Sequence, residues 1–472
     1  MASHFKYKKV LVFGLGILGG GVSVTNWLLK QGAKVTVTDL KTANELGQSL
    51  AKLIGPVKLR LGGHSKKDVD ENGIIVVNPD VSINNEFIQY AFERGKEVTN
   101  EAMIFFQNFG RPIIGITGTR GKTTTTAWTE YFLSSMFRSA MAGNSTAHPF
   151  LSVLEKKDEL EIAVAEVPSF HLELVESSDL PAGRQVAPHI AVITNISQDH
   201  LNRHGTMQEY AKVKASWLKH QDETQHCVLN ADDEWVYFLL SQAVCPRPWY
   251  FSAQRLRPGL NGVWHSKNTV WLRNGRSEKE IFVLDDAALS LGEHNVSNLM
   301  AAALAAHLAG VPWKNIQEKI KSLPQVPFRQ EIVFANERLK VINDTTATSP
   351  EGAIQALKRF GGSGTVLITG GTDRQLDFSR WAEVLKKNIQ PGNVVFLEGS
   401  ATDKMLAVLD DWPAAAPVCK TLQECLEVAL KFSGKYGKSV VLFSPASKSF
   451  EKFKNEFDRG EQFNALVRKF CQ

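Results

Sequence analysis

The sequence predicts an α/β protein of three domains, each a mostly parallel sheet covered by helices, over residues 1–110, 111–325 and 326–472. Three observations carry this expectation. The chain has 472 residues, and at roughly 150 residues per domain that length divides into about three. Short β-branched runs alternate with longer amphipathic stretches, the pattern of parallel strands joined by crossover helices. Two glycine-rich turns, at residues 14–21 and 118–121, each follow an apolar run and precede a helical stretch, and α/β sheets bind anionic ligands at such junctions.

The first segment opens with the strand KKVLVF, turns through the glycines, continues as a helix to about Lys30 and returns as the strand AKVTVTD, ending at Asp39. A third run, GIIVVNP, ends at Asn78 and Pro79. The second segment follows Arg111 and Pro112 with the strand IIGIT and a helix from about Lys122. Strands are expected at 162–165 and 190–194, with the Gly/Pro-bearing loop SSDLPAGRQVAP between them. Residues 249–289 alternate turns with short β-like runs and predict a small antiparallel patch, and a helix starting near Asn295 closes the segment. Pro324 and Pro327 mark a linker. Strands at 339–342, 365–369, 394–397 and 439–443, separated by helical stretches, make the third segment.

Composition narrows the function classes. Apolar residues are 43% and charged residues 22%, the balance of a chain with large cores and not of a disordered one. Lys+Arg of 54 against Asp+Glu of 49 leaves +5, too slight an excess on this body for a nucleic-acid surface. Cys227, Cys245, Cys419, Cys425 and Cys471 form no Cys-x-x-Cys pair, so reduced cysteines are expected. The basic start MASHFKYKKV is followed by glycines in place of a signal-peptide core. No window approaches the roughly 20 apolar residues of a membrane span. A soluble cytoplasmic monomer with neither nucleic acid nor membrane as partner is the expectation.

The stretch GITGTRGKTTTT at 115–126 carries the clearest chemistry. Successive backbone N–H groups of residues 118–122 can curl around a phosphate, because Gly118 and Gly121 tolerate the φ values this requires. The helix that follows adds its positive dipole end. Lys122 would reach the terminal phosphates and Thr123 could ligate the accompanying Mg²⁺. The general P-loop pattern demands glycine where Ile116 stands, so a family with the shorter Gly-Thr-x-Gly-Lys-Thr turn fits better. TNISQDHLNRH at 194–204 follows a strand and offers Asp199 and His200 as metal ligands, while Glu166 ends another strand in AVAEVPSFHLE. These three strand ends are expected to converge on one rim.

GLGILG at 14–19, with Asp39 twenty residues beyond Gly19, matches a dinucleotide fingerprint. Alone it would suggest an NAD-dependent dehydrogenase, but the phosphate loop downstream has no place in one. A nucleotide switch or transport ATPase would leave this turn and the third segment unexplained.

Together these motifs resemble the Mur ligase family, nearest to its glutamate-adding branch. The resemblance spans essentially the whole chain. It rests on residues 118–124, Glu166, Asp199, His200, Arg203, His204, HNVSN at 294–298, FRQE around Arg329, NDTTATSP at 343–350, SPASKSF at 444–450, and Arg459 with Gly460. It implies an N-terminal Rossmann-like UDP-binding domain, a central P-loop-like ATPase domain and a C-terminal Rossmann-like domain. It also implies an ATP-dependent ligase that adds glutamate in the D form, or a variant that adds L-glutamate or another amino acid, to UDP-N-acetylmuramoyl-L-alanine through an acyl phosphate in peptidoglycan synthesis.

The implied ATP contacts are Gly118, Thr119, Arg120, Gly121, Lys122, Thr123 and Thr124, with Asn295 and Asn298 toward adenine and Arg329 reaching from the third domain. Of two Mg²⁺ ions, one would sit with Thr123 and Glu166 and the other with His200 and Lys214, the last carbamylated. Lys122, His200 and Lys214 are the implied catalytic residues. Since CO₂ reacts only with a neutral amine and free lysine has a pKa of about 10.4, the site must depress that of Lys214. Gly14, Leu15, Gly16, Ile17, Leu18, Asp39 and the Asn78 turn would hold UDP, and Asn144, Ser169, His171, Thr348, Arg374, Ser449 and Phe450 the remaining substrate groups. The chain departs from the family pattern at Arg120 (usually Asn), Pro168 (Ser), Phe328 (His), Thr346 (Lys), Arg374 (Lys), and Glu456–Phe457 (Phe-Glu). Arg374 is expected to stand in for the lysines in gripping a carboxylate.

Overall fold

The computed structural model describes residues 4–17, 19–143, 147–177, 186–244, 248–373, 375–410, 412 and 416–471. Its strands form three sheets, in sequence order. The first has five parallel strands, β1 (Lys9–Phe13), β2 (Lys34–Asp39), β3 (Lys58–Leu61), β4 (Ile74–Val77) and β5 (Glu97–Thr99), in the order β3-β2-β1-β4-β5. Valine and isoleucine fill its centre because strands with helices on both faces are buried on both. Val10, Val12, Val35 and Val37 meet Trp27 and Leu28 of the helix Gly20–Lys30, while Leu11, Phe13, Ile75 and Val77 belong to the core cluster on the other face.

The second sheet contains β6 (Ile113–Thr117), β7 (Ser139–Gly143), β8 (Ile162–Glu166), β9 (Ile190–Ile193), β10 (His226–Asn230), β11 (Trp249–Ser252), β12 (Asn261–Ser266), β13 (Thr269–Asn274) and β14 (Ser277–Val283). Their order is β14-β13-β12-β11-β10-β9-β6-β8-β7, which sets β6 between β8 and β9. The antiparallel patch expected over 249–289 is narrower than that span: β11 runs parallel to both neighbours, and only β12, β13 and β14 are antiparallel. These hairpins extend the main sheet instead of forming a separate one. Residues 178–185 of the expected Gly/Pro loop lie outside the described residues.

Chain contacts divide the protein into two compact units, Met1–Asp285 with Asn295–Ser322, and Asp286–His294 with Leu323–Gln472. The first two sheets share a unit because one core runs through both: Phe105 and Phe106, from the helix Glu101–Phe109, lie against Phe150 and Trp217. The second unit holds a six-stranded sheet of β15 (Glu331–Ala335), β16 (Leu339–Asn343), β17 (Thr365–Gly370), β18 (Val394–Leu397), β19 (Val418–Cys419) and β20 (Ser439–Phe443), in the order β15-β16-β20-β17-β18-β19. Only β15 pairs antiparallel there.

Candidate active site

The central site grows from the carboxyl ends of β6, β8 and β9. Gly118 (φ 140°) and Gly121 (φ 83°) carry the turn in backbone conformations that favour glycine. A Cβ at Gly118 would lie 2.0 Å from Thr194 Oγ1, and one at Gly121 2.2 Å from Asn298 Oδ1. The turn is braced from the end of β9. Thr119 N donates to Asn195 O at 2.8 Å, Arg120 N to Asn195 Oδ1 at 3.0 Å, and Thr194 Oγ1 to Arg120 O at 2.6 Å. Two of the amides expected to curl around a phosphate, those of Thr119 and Arg120, are therefore committed to Asn195. What remains to meet an anion is the turn at Gly121 and the start of the helix Lys122–Leu133, whose dipole favours one.

Two lysines meet on one oxygen of this turn. Lys122 Nζ donates to Gly118 O and to Thr119 O, each at 3.0 Å, and Lys214 Nζ reaches Gly118 O at 2.9 Å. Lys214 is 1% exposed, on the helix Met207–His220. Burial, and then the charge of Lys122, hold its ammonium well below the usual lysine range; Asp199 opposes this and Arg120 adds to it. Thr123 Oγ1 donates to Glu166 Oε1 at 2.9 Å, which pairs two hard oxygen donors where β8 ends. Asp199 Oδ2 lies 3.5 Å from Arg120 and 3.6 Å from His200 Nε2. His200 has a φ of 52°, uncommon for a non-glycine residue, as the chain enters the helix Leu201–His204. The three strand ends thus meet on one rim. No group of three His, Cys, Asp or Glu side chains that could hold a metal occurs among the described residues. A hard-oxygen pair beside a phosphate loop nevertheless suits Mg²⁺, which takes one or two protein carboxylates and completes its shell with phosphate oxygens and water.

Beside this rim, Arg203 is held by Glu173, Nε to Oε1 at 2.6 Å and Nη2 to Oε2 at 2.7 Å. The same guanidinium donates to Pro79 O and Val81 O. It thereby ties the central rim to the Asn78 turn of the first sheet, a link that sequence spacing could not show. Ser169 Oγ bonds His204 Nε2 at 3.0 Å, and burial, followed by the charges of Lys214, Arg203 and His200, lowers the His204 pKa to about 4. His171 is fully buried, both of its ring nitrogens lack a hydrogen-bond partner, and burial lowers its pKa to about 3.

In the first sheet Gly14 (φ 94°) and Gly16 (φ 64°) shape the turn after β1. The Asp39 carboxylate takes the amides of Leu15 (2.8 Å) and Gly16 (2.9 Å) on one oxygen and that of Lys41 (2.8 Å) on the other. Its part in this structure is to hold the turn, a different arrangement from an acid left open to a ribose. Asn78 Nδ2 donates to Gly14 O at 3.2 Å. Leu15 is buried and Ile17 is exposed. Leu18 and Asn144 lie outside the described residues. Close packing of helix on strand falls to Gly21, where a Cβ would stand 2.3 Å from Leu15 O; the run of three glycines was the available signal. Gly21→Ala is expected to lower stability by about 1–3 kcal/mol and to weaken the UDP binding that the resemblance implies, read by thermal melting and UDP titration. An unchanged melting temperature would show that the turn relaxes freely.

In the second unit, Lys448 Nζ donates to Thr348 Oγ1 at 3.2 Å. The flanking hydroxyls of Ser447 and Ser449 are buried with no hydrogen-bond partner, and Phe450 is exposed. Arg459, fully buried, binds Lys448 O (3.1 Å), Ser447 O (3.2 Å) and Thr345 O (2.7 Å), which fixes this loop. The family-pattern departures lie together: Thr346 Oγ1 donates to Phe328 O at 2.8 Å, and Phe328 meets the Phe457 ring edge-on at 6.2 Å. Arg374 lies outside the described residues. Asp344 is buried beside Ser444 (2.8 Å) and the Gln330 amide (3.1 Å), and burial raises its carboxyl to about 7, with Arg329 among the charges that lower it. His294, bonded to Gln330 Nε2 at 3.2 Å and lowered by burial to about 4, packs as a helix-start residue. In the first unit, Asn298 Nδ2 donates to Asn295 Oδ1 at 3.2 Å.

A parallel sheet that brings a phosphate turn, two lysines and a hard-oxygen pair to one rim marks an enzyme that handles nucleotide phosphates. Residues 8–100 match the Mur ligase MurD-like N-terminal domain and residues 116–306 the Mur ligase middle domain. The chain is 35% identical to a UDP-N-acetylmuramoylalanine–D-glutamate ligase of Roseiflexus sp. (strain RS-1), covering 98% of this chain and 99% of that relative. It is 32% identical to the ligase of the same name from Bdellovibrio bacteriovorus, covering 99% of each. Among solved structures, MurF of Acinetobacter baumannii matches with a TM-score of 0.60 at 15% identity, over 99% of this chain and 92% of that one. The UDP-N-acetylmuramate–alanine ligase MurC of Thermotoga maritima matches with a TM-score of 0.57 at 19% identity, over 98% and 100%. The chain belongs to the Mur ligase family of ATP-dependent, amide-forming ligases.

Proposed function

We propose that this ligase joins D-glutamate to UDP-N-acetylmuramoyl-L-alanine, using three domains bounded near residues 110 and 325. The observation that carries the reading is the meeting of Lys122 and Lys214 on Gly118 O, next to the Thr123–Glu166 pair. The γ-phosphoryl group of ATP passes to the alanyl carboxylate, giving ADP and an acyl phosphate. The glutamate amine then attacks the carbonyl carbon, loses a proton, and expels inorganic phosphate as the amide forms. Such chemistry needs charge neutralised and reactants aligned. Lys122 swings from the loop carbonyls to the terminal phosphates, and Gly121 with the helix start receives them. Thr123 and Glu166 would hold one Mg²⁺, and His200 with Lys214 the other, where the ions supply charge neutralisation. Lys214 as a neutral amine takes up CO₂, forms a carbamate and releases a proton. Asn295, Asn298 and Arg329 serve the nucleotide. The first-sheet turn with Asn78 receives UDP, and Asn144, Ser169 and His171 line the path of the peptide end. Thr348, Lys448, Ser449, Phe450 and Arg374 receive the amino acid. ATP and a nucleotide-activated precursor as substrates fit a cytoplasmic, monomeric enzyme.

Phosphate release with UDP-N-acetylmuramoyl-L-alanine, ATP and each of D-glutamate, L-glutamate, D-aspartate and D-glutamine tests the reading. D-Glutamate alone is expected to support turnover; preference for another amino acid would overturn the assignment. Lys122→Ala is expected to abolish turnover while UDP-precursor binding stays nearly intact, because the two loops end different sheets. Equal loss of both in a folded variant would refute that division.

A further inference from the structure

Arg203 lies where the central rim meets the Asn78 turn of the first sheet, and both sheets belong to one compact unit. We propose that Arg203, anchored by Glu173, is a positioning residue that sets the reach from the first-sheet turn to the phosphate loop, a role that rests on the reading of that turn as the UDP site.

The anchor comes from the central sheet alone. Glu173 belongs to the helix Ser169–Ser177, which follows β8, and Arg203 to the helix Leu201–His204, which follows β9. Their side chains form a fork-on-fork pair, Nε to Oε1 at 2.6 Å and Nη2 to Oε2 at 2.7 Å, and are only 13% and 5% exposed. Exposed ion pairs contribute little, because water screens them and ordering two long side chains opposes them. A shielded bidentate pair instead fixes the plane and the direction of the guanidinium. The Phe170 ring, its centroid 4.6 Å from Arg203 Cζ, covers one face of that plane. With the plane set, Nη1 donates to Pro79 O and Nη2 to Val81 O at 2.9 Å.

Those two carbonyls are closely tied to the first glycine turn. Asn78 Nδ2 donates to Gly14 O, and Val81 N donates to Asn78 O at 2.9 Å. A Cβ at Gly14 would stand 3.0 Å from Asn78 Cβ and 3.5 Å from Val81 Cγ2. Groups packed that tightly move with whatever holds Pro79 and Val81. Toward the phosphate loop the next residue, His204, places Nδ1 3.7 Å from Glu173 Oε1 and its ring 5.1 Å from that of Tyr210. Tyr210 Oη lies 3.2 Å from Thr119 Oγ1. One run of contacts therefore joins Gly14 to Thr119 with Arg203 at its middle. Away from the rim the two sheets share an apolar core that includes Phe106 and Trp217. Apolar burial resists separation but is non-directional, so direction falls to the fork. Phosphoryl transfer needs the far end of the precursor in line with the γ-phosphate, and a misplacement of about 1 Å caused by a remote residue can cost about 100-fold.

The test separates binding at each loop from the reaction that needs both. Arg203→Ala is expected to lower kcat at least tenfold in phosphate release with ATP, UDP-N-acetylmuramoyl-L-alanine and D-glutamate. UDP alone and a non-hydrolysable ATP analogue should each still bind within about threefold of their original affinity, since each probe occupies the loop of one sheet. Arg203→Lys keeps the charge without the fork and should recover only part of kcat. Glu173→Gln keeps the volume and should also lower kcat with both probes still bound; where Arg203→Ala does not fold, it carries the test by the same criteria. Added to Arg203→Ala it should cost at most about threefold more, because residues acting as one unit are not additive. The role is overturned if kcat is unchanged in the folded variants, if UDP or analogue binding falls as far as kcat, if lysine restores kcat fully, or if the two losses multiply. Absence of turnover in the unaltered chain would overturn the substrate reading and this role together, whereas an unchanged kcat in the variants overturns the role alone.

Discussion

Lys214→Ala is expected to lose turnover by about 10- to 100-fold, the scale seen when metal-site support is removed, and to regain part of it with acetate or propionate. The reasoning begins with burial. At 1% exposure and 2.9 Å from Gly118 O, beside the ammonium of Lys122, the Lys214 amine is held well below its usual range. That supplies the neutral nitrogen that the proposed carbamylation needs, and the anion so formed would give the rim negative charge where the described residues offer few carboxylates. A small carboxylate fits the space left by the truncated side chain. Full activity in Lys214→Ala, or no response to added acid in a folded variant, would reduce Lys214 to a packing residue.

The same shift has a stability consequence of fixed sign. Between the depressed native value and the unfolded value of about 10.4, the unfolded chain binds a proton that the native chain does not. Stability therefore rises with pH through that window, and at neutral pH the buried amine costs folding free energy. Lys214→Met keeps the side-chain volume and removes the titrating group, while Lys122 still donates to Gly118 O. Its melting temperature should exceed that of the parent at pH 7, and the difference should shrink toward pH 10. The opposite ordering would mean that the bond to Gly118 O outweighs desolvation. A residue that weakens the fold and is kept for chemistry is the usual trade at an active site.

The rim was legible because its residues follow apolar strands in a repeated grammar of strand, glycine turn and helix. β6, β8 and β9 are interior strands, each paired on both sides, so their sequences are continuous apolar runs. Strands with weaker patterns were not legible. β3 reads KLRL and is mostly exposed at a sheet edge, β5 has three residues, and β19 has two. The bracing part played by Asp39 was hidden for a related reason. A carboxylate twenty residues past the turn has the spacing of a ribose ligand, but spacing cannot say that three backbone amides already occupy it. The Arg203 link to Pro79 and Val81 joins residues more than 120 positions apart, beyond the reach of any local pattern.

In the proposed amino-acid site, Lys448→Ala is expected to raise the glutamate KM at least tenfold and to change the ATP KM little. The family pattern has a lysine at 346, but Thr346 spends its hydroxyl on Phe328 O, and Phe328 packs against Phe457. That corner is rebuilt as an apolar contact, and the side chain at 346 supplies no cation for a carboxylate. Lys448 Nζ lies 3.2 Å from Thr348 Oγ1, and its sequence neighbours Ser447 and Ser449 carry buried hydroxyls that have no hydrogen-bond partner in the structure. Buried hydroxyls without partners are costly unless a ligand completes them. A carboxylate bound there would take the ammonium and at least one hydroxyl, while Arg459 keeps the loop carbonyls turned inward. Removing one partner of a buried charge pair costs about 2–5 kcal/mol, which exceeds the 1.4 kcal/mol of a tenfold change. Lys448→Arg should recover part of the loss, since the charge survives and the reach changes. The neutral analogue D-glutamine should gain on D-glutamate in Lys448→Ala, which a merely structural lysine would not produce. Arg374 is the competing cation. If Lys448→Ala leaves the glutamate KM unchanged and Arg374→Ala raises it tenfold, the side-chain carboxylate pairs with the guanidinium, and Lys448 only orders Thr348.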